Sequence, residues 1–587
     1  MQYPRTGNPT NGGYNYHFQQ QYIDLEKGYT VLNTIFNAKV TLPYGFTYQF
    51  NIAPRFQWFY DRYWMSAELP DSKPADRGSN RNTSKTFNWN LNNTLTWDRT
   101  FNKEHHFTVT LVQEAEENRY WYDEIHARNI TPSDVLGFHY ISGANKEQSS
   151  FYTNDTHYTA AAYLGRLFYG FKDRYLLTAT VRRDGSSRFG ADHKWGLFPS
   201  AAASWRISQE HFWGWEAMND LKLRYSFGIT GNQEIGNYQS LNTLAASSNG
   251  YLVGGSKITI ILPAQYSNPD LKWEETAQHN IGLDFGFLDS RIRGSFDWYY
   301  KKTDDLLLSV DVPAPSLITR QIANVGSVEN KGVEFEIAAD IIRTKDWRWD
   351  ISLNMSHNSN EVTSLSNDKW TGDDVLTAAC QGQGLSGSYS QRIKEGYSIG
   401  TFWGKEYLGI VDGKETYRKN DDGSDWVGEI GCAMPDLSYG ITTNVHYKNW
   451  SMGIVMRGTI GNEVYNCTAN NLMYTGNLPG RNILREALDS GITYGEPKAF
   501  SSRFVEDASF LRLDNLNIGY DFAVKAMHIS HARVSLSAQN LFVITGYSGL
   551  DPEVSSVITS NGMSTLGMDY LSYPRARTFT LGLNLTF

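Results

Sequence analysis

Cysteine is nearly absent: three residues in 587, Cys380, Cys432 and Cys467, odd in number and far apart. That spacing excludes a CxxC metal or redox site and a closed disulfide framework, so the three thiols are read as incidental. No stretch approaches roughly 18 consecutive apolar residues, which excludes a transmembrane helix. Basic blocks are missing too. With 53 Lys+Arg against 62 Asp+Glu the net charge is -9, and a mildly acidic chain without basic patches has no electrostatic footprint for nucleic acid. The opening MQYPRTGNPTNGG carries neither the basic nor the apolar region of a secretion signal.

Catalytic signatures are lacking as well. There is no HExxH, GxSxG or phosphate loop, and the acidic residues are too dispersed to nominate a glycosidase pair. No catalytic residue and no cofactor is expected. Arg418 to Glu429, RKNDDGSDWVGE, comes near a calcium loop, with Asn420, Asp422, Gly423 and Glu429 at its third, fifth, sixth and twelfth places. Arg418 puts a cation where the first carboxylate belongs, which favours a solvated acidic turn, so no metal is expected. His105 and His106 have no clustered partners and read as exposed turn residues.

What the chain has in excess is aromatic side chains, 14% of residues, with 36 Tyr, 29 Phe and 17 Trp. They accompany a period of two. In the closing RTFTLGLNLTF, Phe579, Leu581, Leu583, Leu585 and Phe587 share one face, while Thr578, Thr580, Gly582, Asn584 and Thr586 share the other. The same alternation runs through FTYQFNI from Phe46, FNWNLNNTLTW from Phe87, KLRYSFGIT from Lys222, NIGLDFGF from Asn280 and WRWDISLNM from Trp347. Asp284, Arg293 and Asp350 fall on the polar sides of their strands. A mean hydropathy of -0.46 conceals such strands, because half of each is polar.

About seventeen strands follow from this reading, the first near residues 31–42 and the last near 576–587. Their connections alternate between short turns (PYG, NKEHH, GFKD, LDSR, RTKD, YKN) and long loops such as 231–276, 359–437 and 462–509. Sorting loop lengths by side is the habit of an outer-membrane barrel, with turns in the periplasm and loops outside. Trp58 to Tyr60, Trp298 to Tyr300, and Trp347 with Trp349 suit interfacial girdles. Residues 1–30 then read as a loop or linker and 31–587 as barrel. The first and last strands both run toward the periplasm, whereas a bacterial barrel has an even strand number and starts there. The expectation is therefore a C-terminal portion of a longer protein, with an odd number of strands upstream.

Several stretches carry a closer likeness: RRDGSSRFG from Arg182, LKLRYSFGITGNQEIGNY from Leu221, NPDLKWEETAQHNIGLDFGFLDSRIRGSFDWYYKKTDDLL from Asn268, NVGSVENKGVEFEI from Asn324, SAQNLFVITGYSGLDPEV from Ser537 and YPRARTFTLGLNLTF from Tyr573. In these the chain resembles the SusC/RagA family of TonB-linked outer-membrane transporters of Bacteroidetes. The resemblance implies an all-β fold, the C-terminal seventeen or so strands of a transmembrane antiparallel barrel of about 22. It implies import of oligosaccharides or peptides, a SusD-like surface lipoprotein as lid, and location in the Gram-negative outer membrane. The family's plug and its TonB-contacting segment have no counterpart here, so contact with TonB is expected through an N-terminal region outside these residues. In the long loop from Asn360 to Pro435, Trp370, Trp403, Tyr407 and Trp426 could stack on sugar rings, with loop packing or contact with the lid as the competing reading. Phe579, Leu581, Leu583, Leu585 and Phe587 resemble the terminal assembly signal of outer-membrane barrels. The rival readings are a soluble extracellular glycan-binding or glycan-degrading β protein and an inactive gene fragment.

Overall fold

The computed structural model describes residues 20–66, 78–130, 135–247, 252–254, 256–258, 260–312, 314–368, 374–382, 384–385, 387–478, 482–496, 498–523, 529–556 and 565–586. Among them one antiparallel sheet dominates. Its strands, in chain order, are β1 (Ile23–Asn33 continued by Phe36–Thr41), β2 (Phe46–Met65), β3 (Gly78–Phe101), β4 (His105–Arg128), β5 (Ser150–Phe171), β6 (Tyr175–Ser186), β7 (Trp195–Arg206), β8 (Met218–Asn232) and β9 (Glu274–Phe287). Then come β10 (Ile292–Asp304), β11 (Ser327–Arg343), β12 (Trp347–Ser364), β13 (Leu437–Tyr447), β14 (Trp450–Ile460), β15 (Phe510–Phe522), β16 (His531–Thr545) and β17 (Thr578–Thr586). Each pairs with the next from β1 to β17, and among the described residues β1 and β17 do not pair with each other. The sheet is a wall with two edges. The seventeen strands expected from periodicity are the seventeen found, with β1 interrupted at Thr34 and Ile35.

One boundary is corrected. The first strand begins at Ile23, inside the stretch read as linker, and Ile23 to Asn33 pair with Met65 to Arg55. Charged Asp24, Glu26 and Lys27 hid it from an apolar count; Glu26 is matched across the pair by Arg62 at 3.2 Å and Lys27 by Asp61 at 2.7 Å.

The antiparallel order puts the short turns at one end and the long loops at the other. At the turn end, Asn102 and Lys103 have φ of 51° and 60°, and Lys172 and Asp173 of 52° and 53°. Two successive left-handed residues make a tight hairpin whose twist suits the strands it joins. His105 and His106, expected in such a turn, open β4 instead; they contact the Tyr169 hydroxyl at 2.9 Å and the Asp98 carboxylate at 3.0 Å. An aromatic belt rims this end: Trp97 with Phe101 (centroids 6.2 Å apart), Phe107 with Tyr169 (4.8 Å), Trp347 with Tyr447 (4.2 Å) and Trp450 with Tyr520 (4.8 Å).

Buried apolar clusters sit at the other end. The largest gathers Ala378, Cys380, Leu385, Phe402, Tyr465, Cys467, Phe500, Phe504 and Met568 from the long connections, and smaller ones form around Trp64, Phe198 and Val362 near the strand tops. Along the middle of the wall, by contrast, apolar side chains point outward and stay exposed: Leu223 at 41%, Tyr225 at 45%, Phe296 at 44%. The loops have cores of their own, whereas the wall turns its hydrocarbon away from itself.

Candidate functional site

Because side chains alternate along a strand, the residues between the outward apolar ones all meet on the opposite face. There they form a lattice of ion pairs and amides. On β8 and its neighbours, Arg224 donates to Asp284 at 2.8–3.0 Å and to Asp297 at 2.9 Å. Gly282 makes room for this: a Cβ at that position would lie 2.5 Å from Asp297 Oδ1 and 2.6 Å from Arg224 Cζ. Further round, Arg182 donates to Asp184 and Glu114 at 2.8 Å, Asn51 to Asn92 at 2.9 Å, Asn444 to Asp350 at 2.9 Å, and Arg533 to Asp521 at 2.6 Å. Asp284 and Asp350 stand on the polar side, as the alternation implied. Their partners, Arg224 for Asp284 and the Asn444 amide for Asp350, come from neighbouring strands that lie 60 and 94 residues away in the chain, beyond the reach of a local pattern.

At the loop end this face carries a larger network. Arg512 of β15, 1% exposed, reaches Asp551 at 2.6 Å and lies 2.8 Å from Glu553 with its Nε. Arg457 of β14 binds Asp514 and Glu553, and Arg575 reaches Asp551 at 3.3 Å and Glu553 at 3.2 Å. The connection between β16 and β17 is thereby fastened to the wall through two carboxylates of its own, Asp551 and Glu553, and two arginines of the wall, Arg457 and Arg512, with Arg575 bracing the carboxylates from within the connection. Nothing in the sequence links the GLDPEV stretch to Arg457 or Arg512.

The aromatic candidates of the long loop are not assembled into one open platform. Trp403 lies in the strand Thr401–Lys405, packed edge-on against Tyr397 at 5.0 Å with Arg392 and Lys394 over its ring at 5.8 and 5.5 Å. Tyr407 is covered by Arg503 at 5.2 Å and Trp426 by Arg418 at 4.9 Å. All three are half-buried, each with a cation of the fold itself over one ring face. Trp370 lies outside the described residues. The acidic turn at 418–429 is a hairpin: Asp422 accepts from the Ser424 backbone at 2.9 Å, Asp425 pairs with Lys405 at 2.7 Å and also binds Lys419. Those hydrogen bonds hold both carboxylates below the usual aspartate range, with Ser424 the main cause for Asp422 and Lys405 for Asp425. Oxygens committed in this way do not converge on a cation. Among the described residues no group of three or more His, Cys, Asp or Glu could hold a metal ion. Cys380 and Cys467 are buried, and burial pushes both thiols up, away from the reactive thiolate.

In chemical terms the inner face offers paired charges and amides to a polar solute, and the outer face is mainly hydrocarbon, with a few polar side chains such as Arg183, Asn93 and Gln113. No helix among the described residues is long and apolar enough to cross a membrane, a statement that leaves strands untouched.

Comparison with known proteins agrees with this geometry. Residues 1–541 match the family model described as TonB dependent receptor-like, beta-barrel. The TonB-dependent receptor SusC of Bacteroides thetaiotaomicron is 37% identical over 469 residues, 75% of this chain and 45% of the relative. The TonB-dependent receptor P26 of Formosa agariphila is 32% identical over 567 residues, 89% of this chain and 56% of the relative. The chain spans about half the length of these curated relatives. Among solved structures, that of the RagAB peptide transporter superposes with a TM-score of 0.83 at 23% identity, over 99% of this chain and 65% of the other. At that identity the likeness is one of fold.

Proposed function

The chain belongs to the TonB-dependent receptor-like β-barrel family, a family of receptors and transporters rather than enzymes, and from that membership we propose that it forms part of the wall of an outer-membrane importer of oligosaccharides or peptides. The observation that carries the proposal is the division of the wall into two faces, Leu223 and Tyr225 exposed on one and the Arg224, Asp284 and Asp297 cluster on the other. A soluble glycan-binding or glycan-degrading protein would have to leave that whole apolar face in water, far beyond the few hundred Å² that soluble monomers tolerate.

In this reading the short turns face the periplasm and the loops the outside. An open edge cannot remain in lipid, where each unpaired backbone group costs several kcal/mol, so strands outside these residues pair with β1 and β17 to close the wall. Five more would complete a barrel of about 22. A SusD-like lipoprotein covers the loop end, and coupling to TonB belongs to the region that the relatives have beyond this chain's span. The side chains Phe579, Leu581, Leu583 and Leu585 of β17, with Phe587 outside the described residues, act as the assembly signal. Trp403, Tyr407 and Trp426 serve loop packing more than ring stacking, since cations of the fold already occupy them. The test is uptake. Cells lacking the protein should lose accumulation of one class in a panel of fluorescent oligosaccharides and peptides, and an uncoupler should abolish that accumulation in the parent strain. Undiminished, uncoupler-insensitive uptake of every class would overturn the proposal.

A further inference from the structure

Two neighbouring arginines on β6 have opposite fates. Arg182 points to the inner face and is neutralised by Glu114 and Asp184, each at 2.8 Å. Arg183 points to the apolar face, where among the described residues no carboxylate pairs with it; its guanidinium lies over the ring of Trp195, 4.9 Å from the centroid. An unneutralised cation on a hydrocarbon face is expensive at mid-membrane and nearly free at the interface. Its position agrees: Arg183 sits toward the loop end of β6, at the level of the stacked Tyr163 and Trp195 rings, whose centroids are 6.1 Å apart.

Beneath Arg183 the wall is hollowed. A dent of ≈ 630 Å³ at the level of Arg183, Gly165 and Val181 is followed along the same strands by one of ≈ 700 Å³ at the level of Leu167, Ala179 and Ala201. They are continuous in register, since Gly165 pairs with Val181, Leu167 with Ala179, and Ala179 with Ala201. The cause is side-chain size: Gly165, Ala179, Ala201 and Ala203 form the floor, and large side chains rise on both sides. At Gly165 an added Cβ would meet only Leu111 Cδ2, at 3.8 Å. From Arg183 to Leu177 the groove runs six residues, about 20 Å at the rise of a strand, close to the length of an extended fatty-acyl chain. At its upper rim the Tyr48 hydroxyl and the amides of Asn93 and Gln113 form a hydrogen-bonded row, with both contacts at 2.6 Å.

From this arrangement we propose a lipid site: the groove on β5, β6 and β7 holds one acyl chain of a phosphorylated membrane lipid, whose phosphate is bound by Arg183 at the outer interface. The proposal rests on the reading of the wall as membrane-embedded. Cation, polar rim and channel are in the order that an anionic head on a hydrocarbon tail requires, and the charge that the fold leaves unpaired is the one the lipid supplies.

The test uses the protein purified from outer membranes into phosphatidylcholine nanodiscs doped with phosphatidic acid or phosphatidylcholine bearing a diazirine in the acyl chain. Crosslinked peptides are then mapped after illumination. Peptides containing Gly165, Ala179 and Ala201 should be labelled about five-fold more by the phosphatidic acid, the equivalent of about 1 kcal/mol for one basic residue at a charged surface. Arg183→Gln should abolish the preference and Arg183→Lys keep it. Gly165→Leu and Ala201→Phe, which fill the groove, should lower labelling there while labelling near Phe296 on β10, outside the groove, is unchanged. Equal labelling by the two lipids, or a preference that survives Arg183→Gln, overturns the site. Complete competition by inorganic phosphate alone also overturns it, since the tail would then contribute nothing. An apolar face labelled nowhere overturns the membrane reading itself, which separates the two failures.

Discussion

At the scale of the residue, the same side chain has opposite consequences on the two faces. Leu283 lies on the outer face, paired with Leu223 and Phe296, so Leu283→Arg should cost about 2 to 4 kcal/mol if it lies at mid-membrane. Ser226, on the inner face of the adjacent strand, should accept arginine with little loss; the check is urea unfolding of both variants in detergent or lipid. Arg512 is the most exposed to failure by substitution. Its guanidinium is buried with Asp551 and Glu553, and removing one partner of such a network leaves an uncompensated charge, at about 3 to 5 kcal/mol. Arg512→Ala should therefore destabilise the protein by that order and make the connection between β16 and β17 cleavable by protease. An Arg512→Ala protein with unchanged stability and an intact connection would mean that the network is idle.

At the scale of the element, alternation made the wall strands readable, and charge pairing across strands limited that reading. Residues 46–52 and 347–355 were legible because their apolar residues fall every second place. Ile23–Thr30 was not, because Glu26 and Lys27 are satisfied by Arg62 and Asp61 from β2, partners that no local window contains. The surroundings of the loop aromatics were illegible for a related reason: a tryptophan's type is visible in the sequence, but the cation that covers it comes from another segment of the chain. The 418–429 hairpin yields a pH prediction. Asp425 has its folded pKa held below the ordinary 3.8 by Lys405 and Lys419. A depressed carboxylate contributes stability that is present above its unfolded value and lost as pH falls through the folded one. Protection of the Asn420 and Trp426 amides relative to an unstructured peptide at the same pH should therefore hold from neutral pH down to the usual aspartate range and fall below it, and Asp425→Asn should show the low protection at every pH. The last element, β17, exposes Leu581 at 78% and Leu583 at 66%. If it is the assembly signal, Leu583→Asp should reduce the heat-modifiable outer-membrane form several-fold, with the remainder degraded in the periplasm. Wild-type levels of that form would remove β17 from this role.

At the scale of the whole molecule, the sequence made the number of strands and the sorting of their connections legible, because both follow from period and spacing. It did not reveal the ion-pair network at the loop end, which depends on Arg457, Arg512 and Arg575 meeting Asp551 and Glu553 from three separate segments. Nor did it reveal the groove beneath Arg183, which exists only when small residues from β5, β6 and β7 fall side by side. The central claim is that one face of this wall meets lipid and the other water. Single cysteines placed in turn from Leu221 to Thr230 along β8, in the protein resident in the outer membrane and with the native cysteines replaced by serine, test it most directly. Labelled with an environment-sensitive fluorophore, positions 223, 225 and 227 should be quenched by brominated lipid and refuse a membrane-impermeant thiol reagent, while 224, 226 and 228 should react with that reagent and escape quenching. A uniform response along the strand, or an alternation in the opposite phase, would contradict the account.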